Sequence, residues 1–207
     1  MASREIIILG GGGHASVIED TLRVDGRVPV GYVAPEPSGL LEIPYLGDDS
    51  WLFRQDATRF VLANGLGMIG VDRKRATLFE EFTAKSFDFV TTVHGDASVS
   101  NGASLLAGAQ ILAGAVVGPH TTIGRNATVN MSASINHHCR LGDHVHVAPG
   151  AIICGDVTIG DGSFIGAGAT VIHGISIGEG VMIGAGATVV HDVGDGEQLR
   201  GVPARVF

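Results

Sequence analysis

The sequence predicts two kinds of structure in succession: a small parallel α/β domain in residues 1–92 and an all-β parallel β-helix in residues 93–207. Segments with strand and helix patterns alternate in the first part. From Val93 to Val189, an aliphatic residue recurs every six positions without an insertion. The 32 glycines and the low aromatic content of 5% also suit tight turns around a narrow interior.

The first part alternates in the way that a Rossmann-like parallel sheet requires. Its predicted elements are a strand at "REIIIL" (4–9), a turn at "GGGG" (10–13), a helix at "HASVIEDTLR" (14–23), strands at "VPVGYV" (28–33) and "RFVLANG" (59–65), and a helix at "DRKRATLFEEFTAKS" (72–86). The hexads begin near Phe89–His94, which sets the domain boundary.

The six-residue period of the second part fits neither a helix, which repeats every 3.6 residues, nor an ordinary strand, which repeats every two. It predicts a β-helix built from hexapeptide repeats. Four residues after each aliphatic, a second inward position usually holds a small residue, such as Ala133 or Cys139.

Charge and composition argue against several classes of partner. A net charge of −8 disfavours nucleic acid and anionic membrane surfaces. No stretch is long and apolar enough to cross a bilayer, and "MASREIIILG" lacks the layout of a signal peptide. Two cysteines are too few for a disulfide framework, so we expect a soluble cytoplasmic protein.

The glycine turn leaves three interpretations open. Gly10, Gly12 and Ala15 satisfy the G-x-G-x-x-A phosphate pattern after a strand, with Glu36 about twenty residues later, which invites NAD. The same free N–H groups at a helix N-terminus suit any nucleotide diphosphate. The turn could also bind nothing and serve only to join strand to helix.

The repeat resembles that of the hexapeptide-repeat acyltransferases, and the resemblance implies left-handed coils of eighteen residues. On such coils His138 stacks on His120, and Gly155 lies directly above His137, opening a notch beside an outward imidazole. Because successive side chains point in alternate directions, the rings of His137 and His138 should lie apart.

His146 lies half a coil from His137, so the two can share a ligand only between subunits. A zinc site would need the same pairing, and a hydrated surface cluster is the plainer alternative.

Several motifs together resemble one family within that group. "GGGGHA", the hexads, "INHHCRLGDHVHVAPGA" and "RGVPAR" are similar to the nucleotide-sugar N-acetyltransferases of the bacillosamine and perosamine type, which are related to the sialic-acid O-acetyltransferases. The resemblance implies a homotrimer with active sites between subunits. It also implies acetyl-CoA in the grooves, a nucleotide sugar on the N-terminal domain, and no metal.

The resemblance assigns the chemistry to the histidine segment. His137 would be the general base, suited to this because an imidazole titrates near neutral pH. His146 of a neighbouring chain would contact the acetyl group, and the Gly155 N–H would stabilise the oxyanion. The family commonly has an acid after the base, where this chain has His138. Either His138 does this less well, or an acid elsewhere such as Asp143 substitutes, or the reaction needs less help from such a group.

The resemblance also implies ligand-binding residues. The acetyl-CoA residues are His146, Gly155, Phe164, Ala167, Gly168 and Ala185. The nucleotide-sugar residues are Gly12, Gly13 and His14 near the diphosphate and sugar, and Glu36, Asn64 and Gly65 near the nucleotide. For any single glycine, simple turn geometry is an equal explanation.

The expected reaction is transfer of acetyl from acetyl-CoA to the 4-amino group of a UDP- or GDP-linked 4-amino-4,6-dideoxy sugar. O-acetylation of a sialic-acid-type sugar by the same machinery is the first alternative. A zinc hydro-lyase similar to the γ-type carbonic anhydrases, and an inert scaffold, are alternatives of other classes.

Overall fold

A computed structural model describes residues 4–206 and confirms the predicted fold class. The N-terminal domain is a five-stranded parallel sheet with strand order β3-β2-β1-β4-β5. Its strands are β1 (Glu5–Leu9), β2 (Gly31–Val33), β3 (Tyr45–Gly47), β4 (Phe60–Asn64) and β5 (Asp88–Phe89). Its helices are α1 (Gly13–Val24), α2 (Asp49–Leu52) and α3 (Lys74–Ala84), with a 3₁₀ turn at Ala57–Arg59.

The central strand of this domain follows directly from its sequence. Ile7, Ile8 and Leu9 are almost fully buried, as expected for a parallel strand covered on both faces. β1 pairs with β2 on one side and β4 on the other, so the chain order reverses around β1. The carboxyl ends of β1 and β4 therefore border the crevice where ligands bind in open α/β sheets.

The second part is a left-handed β-helix in which successive two-residue strands build three faces in turn. The first face holds β6 (Thr92–Val93), β9 (Gln110–Ile111), β12 (Thr128–Val129), β15 (His146–Val147), β18 (Phe164–Ile165), β21 (Met182–Ile183), β23 (Gln198–Arg200) and β24 (Arg205–Val206). The second holds β7 (Ser98–Val99), β10 (Val116–Val117), β13 (Ser134–Ile135), β16 (Ile152–Ile153), β19 (Thr170–Val171) and β22 (Thr188–Val189). The third holds β8 (Ser104–Leu105), β11 (Thr122–Ile123), β14 (Arg140–Leu141), β17 (Thr158–Ile159) and β20 (Ser176–Ile177).

Each coil stacks on the one below with a register of eighteen residues. Ile135, for example, pairs with Val117 below and Ile153 above, and all three side chains are buried in the prism. The turns between strands form three corners. The corner between the second and third faces, here called the histidine corner, contains residues 119–120, 137–138, 155–156 and 173–174.

The N-terminal domain lies on the first face of the prism. Helix α1 contacts β6, and Arg75 of α3 hydrogen-bonds to Gln110 of β9. This contact places the crevice of the α/β domain beside the outward side chains of the first face. Within residues 4–206, no helix is both long and apolar enough to span a membrane.

Candidate active site

His137 is an exposed side chain whose ring fills the space above it on the histidine corner. A Cβ atom at Gly155 would overlap Cε1 of His137 and lie 2.6 Å from its Nε2, so only glycine leaves room for this ring. The carbonyl oxygen of His137 accepts the N–H of Asp156 at 2.9 Å, which locks the two coils in register. The notch predicted above His137 therefore holds the imidazole itself.

Gly155 also contributes a free donor beside this ring. Its carbonyl oxygen accepts the N–H of Gly174 at 3.0 Å in the regular stacking pattern. Its own N–H donates to no acceptor within residues 4–206. Such an N–H can stabilise an oxygen that gains negative charge.

The rings of His137 and His138 meet, which contradicts the expectation that alternating directions would separate them. Their Nδ1 atoms lie 3.1 Å apart and their planes are nearly perpendicular. The turn causes this, since His138 has a left-handed backbone with φ of 59° that swings its side chain back toward His137. The predicted stacking of His138 on His120 is present, with ring centroids 4.9 Å apart.

Asp143 does not replace the missing acid at His137. Its carboxylate forms an ion pair with Arg125 at 2.6 Å and also accepts the backbone N–H of Arg125. This residue lies at the corner between the third and first faces. The Arg125 guanidinium and hydrogen bonds outweigh partial burial and lower the pKa of Asp143 below its usual value.

His146 lies on the first face, opposite the histidine corner of the triangular prism. One chain therefore points His137 and His146 away from each other, as the nine-residue spacing predicts. The His146 ring stacks on Phe164 with centroids 5.3 Å apart and planes 13° apart. Burial, aided by the positive charge of Arg75, lowers its pKa to about 3. Its Nδ1 is buried without a hydrogen-bond partner, so a neutral imidazole offers a free polar atom.

The glycine turn leaves the start of α1 open. Gly12 caps the helix without a side-chain hydrogen bond, and a Cβ at Gly12 or Gly13 would meet no atom within 4 Å. No acidic residue lies in the first helical turn. Open N–H groups at the positive end of a helix dipole fit an anionic group such as a diphosphate.

Two of the predicted nucleotide contacts, Asn64 and Gly65, have structural roles within the chain. Asn64 is buried, and its side-chain amide donates to the Arg75 carbonyl and to Asn126 at 3.1 Å each. A Cβ at Gly65 would lie 2.7 Å from the Leu9 carbonyl oxygen, so close packing explains this glycine. Glu36 is exposed on the loop after β2 and remains free to reach a ligand.

His14 joins the two domains at the crevice. Its Nε2 lies 2.9 Å from Oε1 of Gln110 on the first face. Burial is the main cause that lowers the pKa of His14 to about 4, and the charge of Arg75 adds to it. His14 is therefore neutral at pH 7 and holds the helix start against the β-helix.

Arg75 is a central residue of the site region that the sequence did not reveal. It is a buried cation, and its guanidinium donates to the carbonyl oxygens of Asn64 and Leu66 and to Gln110 Oε1. Burial lowers its pKa to about 9, and its Nε has no partner. In the sequence it is one basic residue of "DRKR" at the start of an amphipathic helix. In the sequence, only its position on the buried side of that helix could have identified it as a buried cation.

The residues predicted for acetyl-CoA lie on two separate parts of the prism. Phe164 stands on the first face between His146 and Met182. Ala167, Gly168 and Ala185 are exposed at the corner between the first and second faces, away from His137. Gly168 has φ of 65°, so turn geometry alone already favours glycine there.

A single chain does not assemble all the predicted groups into one enclosed site. A cavity of about 580 Å³ lies between α3 and the corner of Asp143, Asp161 and Glu179, and Asp143 is the one residue of its lining that the sequence analysis named as a candidate for the site. Within residues 4–206, no cluster of three or more histidine, cysteine or acidic side chains has the arrangement of a metal site.

Comparison with known proteins points to one group of enzymes. Residues 120–155 and 156–191 match the family described as bacterial transferase hexapeptide (six repeats). The acetyltransferase domain of PglB from Neisseria gonorrhoeae FA1090, solved in complex with acetyl coenzyme A, is 30% identical with a TM-score of 0.92, and the match covers 100% of both chains. A single-residue variant of GDP-perosamine N-acetyl transferase from Caulobacter crescentus, in complex with CoA and GDP-perosamine, is 34% identical with a TM-score of 0.92, covering 100% of this chain and 98% of that one. WeeI from Acinetobacter baumannii AYE shares the fold at 19% identity, with a TM-score of 0.74 and coverage of 99% and 100%. No curated protein matches the sequence.

Proposed function

This chain belongs to the hexapeptide-repeat nucleotide-sugar N-acetyltransferases, and we propose that it transfers acetyl from acetyl-CoA to the 4-amino group of a nucleotide-linked 4-amino-4,6-dideoxy sugar. The observation that carries the proposal is the exposed His137 imidazole seated against Gly155, whose N–H is free. Of the relatives named above, the PglB domain was solved with acetyl coenzyme A, and the GDP-perosamine N-acetyl transferase variant with CoA and GDP-perosamine.

The reaction needs a base and an oxyanion donor at one point. Nε2 of His137 takes a proton as the sugar amine attacks the thioester carbonyl carbon, and positioned proton transfer contributes about 10²- to 10⁴-fold. The Gly155 N–H stabilises the oxyanion of the tetrahedral intermediate. When the C–S bond breaks, the same imidazole returns the proton to the CoA sulfur, so the amide and free thiol form without net proton change.

The N-terminal domain, residues 1–92, supplies the nucleotide-sugar site in this proposal, and residues 93–207 supply the acetyl-transfer site. The open N–H groups of Gly12 and Gly13 receive the diphosphate, with His14 and Glu36 beside it. We propose that the sugar then lies next to the first face, where His146 and Phe164 are, because these N–H groups border the crevice beside β1.

We further propose a homotrimer in which His137 of one chain meets the first face of its neighbour. His137 and His146 lie on opposite sides of one prism, so both can serve one site only across a subunit boundary. The outward residues of the second face are uncharged, and two apolar ones are exposed, Val116 at 43% and Ile152 at 48%. Burial of such a row against a second copy removes apolar surface from water. Ala167 and Ala185 at the adjoining corner then border the groove for acetyl-CoA.

A reducing compartment fits the two free cysteines, and we assign the reaction to the cytoplasm on that ground. The function is tested by CoA thiol release from acetyl-CoA with a panel of UDP-, GDP- and dTDP-linked 4-amino-4,6-dideoxy sugars. We expect release only with an amino sugar present, and an amide in the product by mass spectrometry. An ester product would replace the assignment by O-acetylation, and absence of release across the panel would reject it.

A pair of variants connects the activity to the site. His137→Asn should lower kcat by about 10²- to 10⁴-fold, because it removes the proton acceptor. His191→Asn is the matched control, since His191 is exposed further along the same corner and has no part in the proposed site. Equal activity of both variants would contradict the role of His137.

A further inference from the structure

We propose that His138 is a positioning residue that acts through His137: its Nδ1 accepts the Nδ1–H of His137 and leaves Nε2 of His137 free as the proton acceptor. This inference rests on the proposed acetyl transfer and identifies what replaces the acidic side chain that the family resemblance led us to expect after the base. It assigns the catalytic base to a pair of imidazoles.

The geometry of the two rings defines the bond. The Nδ1 atoms are 3.1 Å apart, a hydrogen-bond distance, and the ring planes meet at 81°. One of the two neutral imidazoles, and not both, must carry its proton on Nδ1 for this contact to be attractive. If His137 donates, its Nε2 has a lone pair next to Gly155; if His138 donates, His137 must carry its proton on Nε2 and cannot act as the base. Only the first arrangement supports the reaction.

The position of His138 is fixed from two directions. Its ring packs on His120 of the coil below, with centroids 4.9 Å apart. Its backbone is left-handed, as it is at Asp156 and Gly174 in the coils above. A histidine adopts this conformation at a cost of about 1 kcal/mol or more. The surrounding coils therefore hold the acceptor nitrogen in place before any substrate binds.

The surroundings of the pair contain imidazoles and one carboxyl side chain. The neighbouring titratable groups are His120 below His138, Asp156 in the coil above His138, and His173 further above His137, whose ring centroid is 6.4 Å from that of His137. Within residues 4–206, the histidines that approach a carboxylate oxygen within 4 Å are His94 and His144, both elsewhere. The pair changes from neutral to one positive charge when it takes the proton from the amine.

The pH dependence of the activity depends on whether the acceptor at residue 138 is neutral or charged. A carboxylate next to an imidazole stabilises its protonated form, so the base is inactivated at a higher pH. With His138 as the acceptor, this direct contact is absent, because no carboxylate oxygen of the described residues lies within 4 Å of a ring nitrogen of either histidine, and activity should persist to lower pH. His138→Asp should therefore move the acidic limb of the kcat/KM profile upward by about one pH unit.

The tautomer can be measured without turnover. In protein labelled with ¹⁵N histidine, long-range ¹H–¹⁵N correlation spectra distinguish a protonated ring nitrogen from a bare one. We expect His137 of the unliganded protein to show a protonated Nδ1 and a bare Nε2, and His138→Ala to abolish this preference. A protonated Nε2 on His137 in the native protein, or an unchanged tautomer in His138→Ala, would overturn the proposal.

The kinetic arm compares three replacements at residue 138. His138→Asn keeps a neutral acceptor and tolerates a left-handed backbone, so its kcat should stay within a few-fold of the native value. His138→Ala removes the acceptor and should lower kcat about tenfold with little change in KM, because one neutral hydrogen bond is lost. An Asp profile that superimposes on the native one, or equal kcat values for Asn and Ala, would contradict the pairing. If the native protein turned over no sugar of the panel, the proposed function would fail while the tautomer measurement still decided the pairing.

Discussion

Gly155→Ala is the single substitution that tests the position of the His137 ring most directly. The new Cβ would lie 2.6 Å from Nε2 of His137, whereas non-bonded carbon and ring atoms settle near 3.5 Å, so the imidazole must move by about 1 Å. A displacement of that size at a reacting group costs about 10²-fold in rate, or about 2.7 kcal/mol of activation free energy. Gly155 is not among the residues with a left-handed backbone, so alanine introduces no strain in the main chain.

The assay is kcat/KM for CoA thiol release, together with the thermal unfolding midpoint. We expect a loss of about 100-fold in kcat/KM and a nearly unchanged midpoint, because His137 is exposed and can swing outward. Gly39→Ala is the matched control, since a Cβ there meets no atom within 4 Å. A Gly155→Ala variant that is folded and retains native activity would refute the assignment of His137 as the base in this position.

Three further predictions concern stability and assembly. Burial lowers the pKa of His14 to about 4 and of His146 to about 3, so the unfolded chain binds protons first as pH falls below about 6.5. Stability should therefore decline from pH 6.5 to 4, and His14→Gln should flatten that decline in a thermal scan; an unaltered slope would contradict the buried neutral ring. Arg75→Met should lower the free energy of unfolding by about 1–3 kcal/mol in urea, since it leaves buried carbonyl acceptors unpaired; unchanged stability would deny its role in joining the domains. Ile152→Asp should dissociate the trimer in sedimentation analysis, while Thr158→Asp on the third face should not, and equal behaviour of the two would reject the proposed interface.

The β-helix was predictable from sequence almost residue by residue because its geometry is periodic. A fixed step of six residues determines which side chains point inward. Stacking every eighteen residues predicts that His138 lies on His120 and that Gly155 lies above His137, and both contacts are present in the structure. Such inferences need no knowledge of long-range packing, since each coil contacts only its neighbours.

The α/β domain was less predictable where its elements are short. β1, α1 and α3 lie where the pattern indicated, but β3 with three residues, α2 with four and β5 with two carry too little periodicity to be found. The hydrogen bonds of Asn64 and Arg75 depend on how this domain docks on Gln110, and a pattern along one chain does not contain that information.

The contact between His137 and His138 shows where sequence reasoning fails inside the regular part. Alternation applies to extended residues, whereas the left-handed turn at His138 rotates its side chain through an angle that alternation does not describe. A residue with a left-handed backbone can be recognised from the sequence when it is glycine or asparagine. Histidine itself gives no such signal, and only the six-residue register, which aligns residue 138 with the left-handed Gly114 and Gly150, could have marked this turn.

Subunit complementation tests the central claim most directly. His137→Asn and His146→Asn chains, each expected to be nearly inactive alone, are coexpressed with different tags, and mixed trimers are isolated. If His137 of one chain works with His146 of the next, every mixed trimer has one native site among its three, and CoA thiol release should recover to about one third of the native level. Intact mixed trimers that remain as inactive as the single variants would contradict an active site shared between subunits.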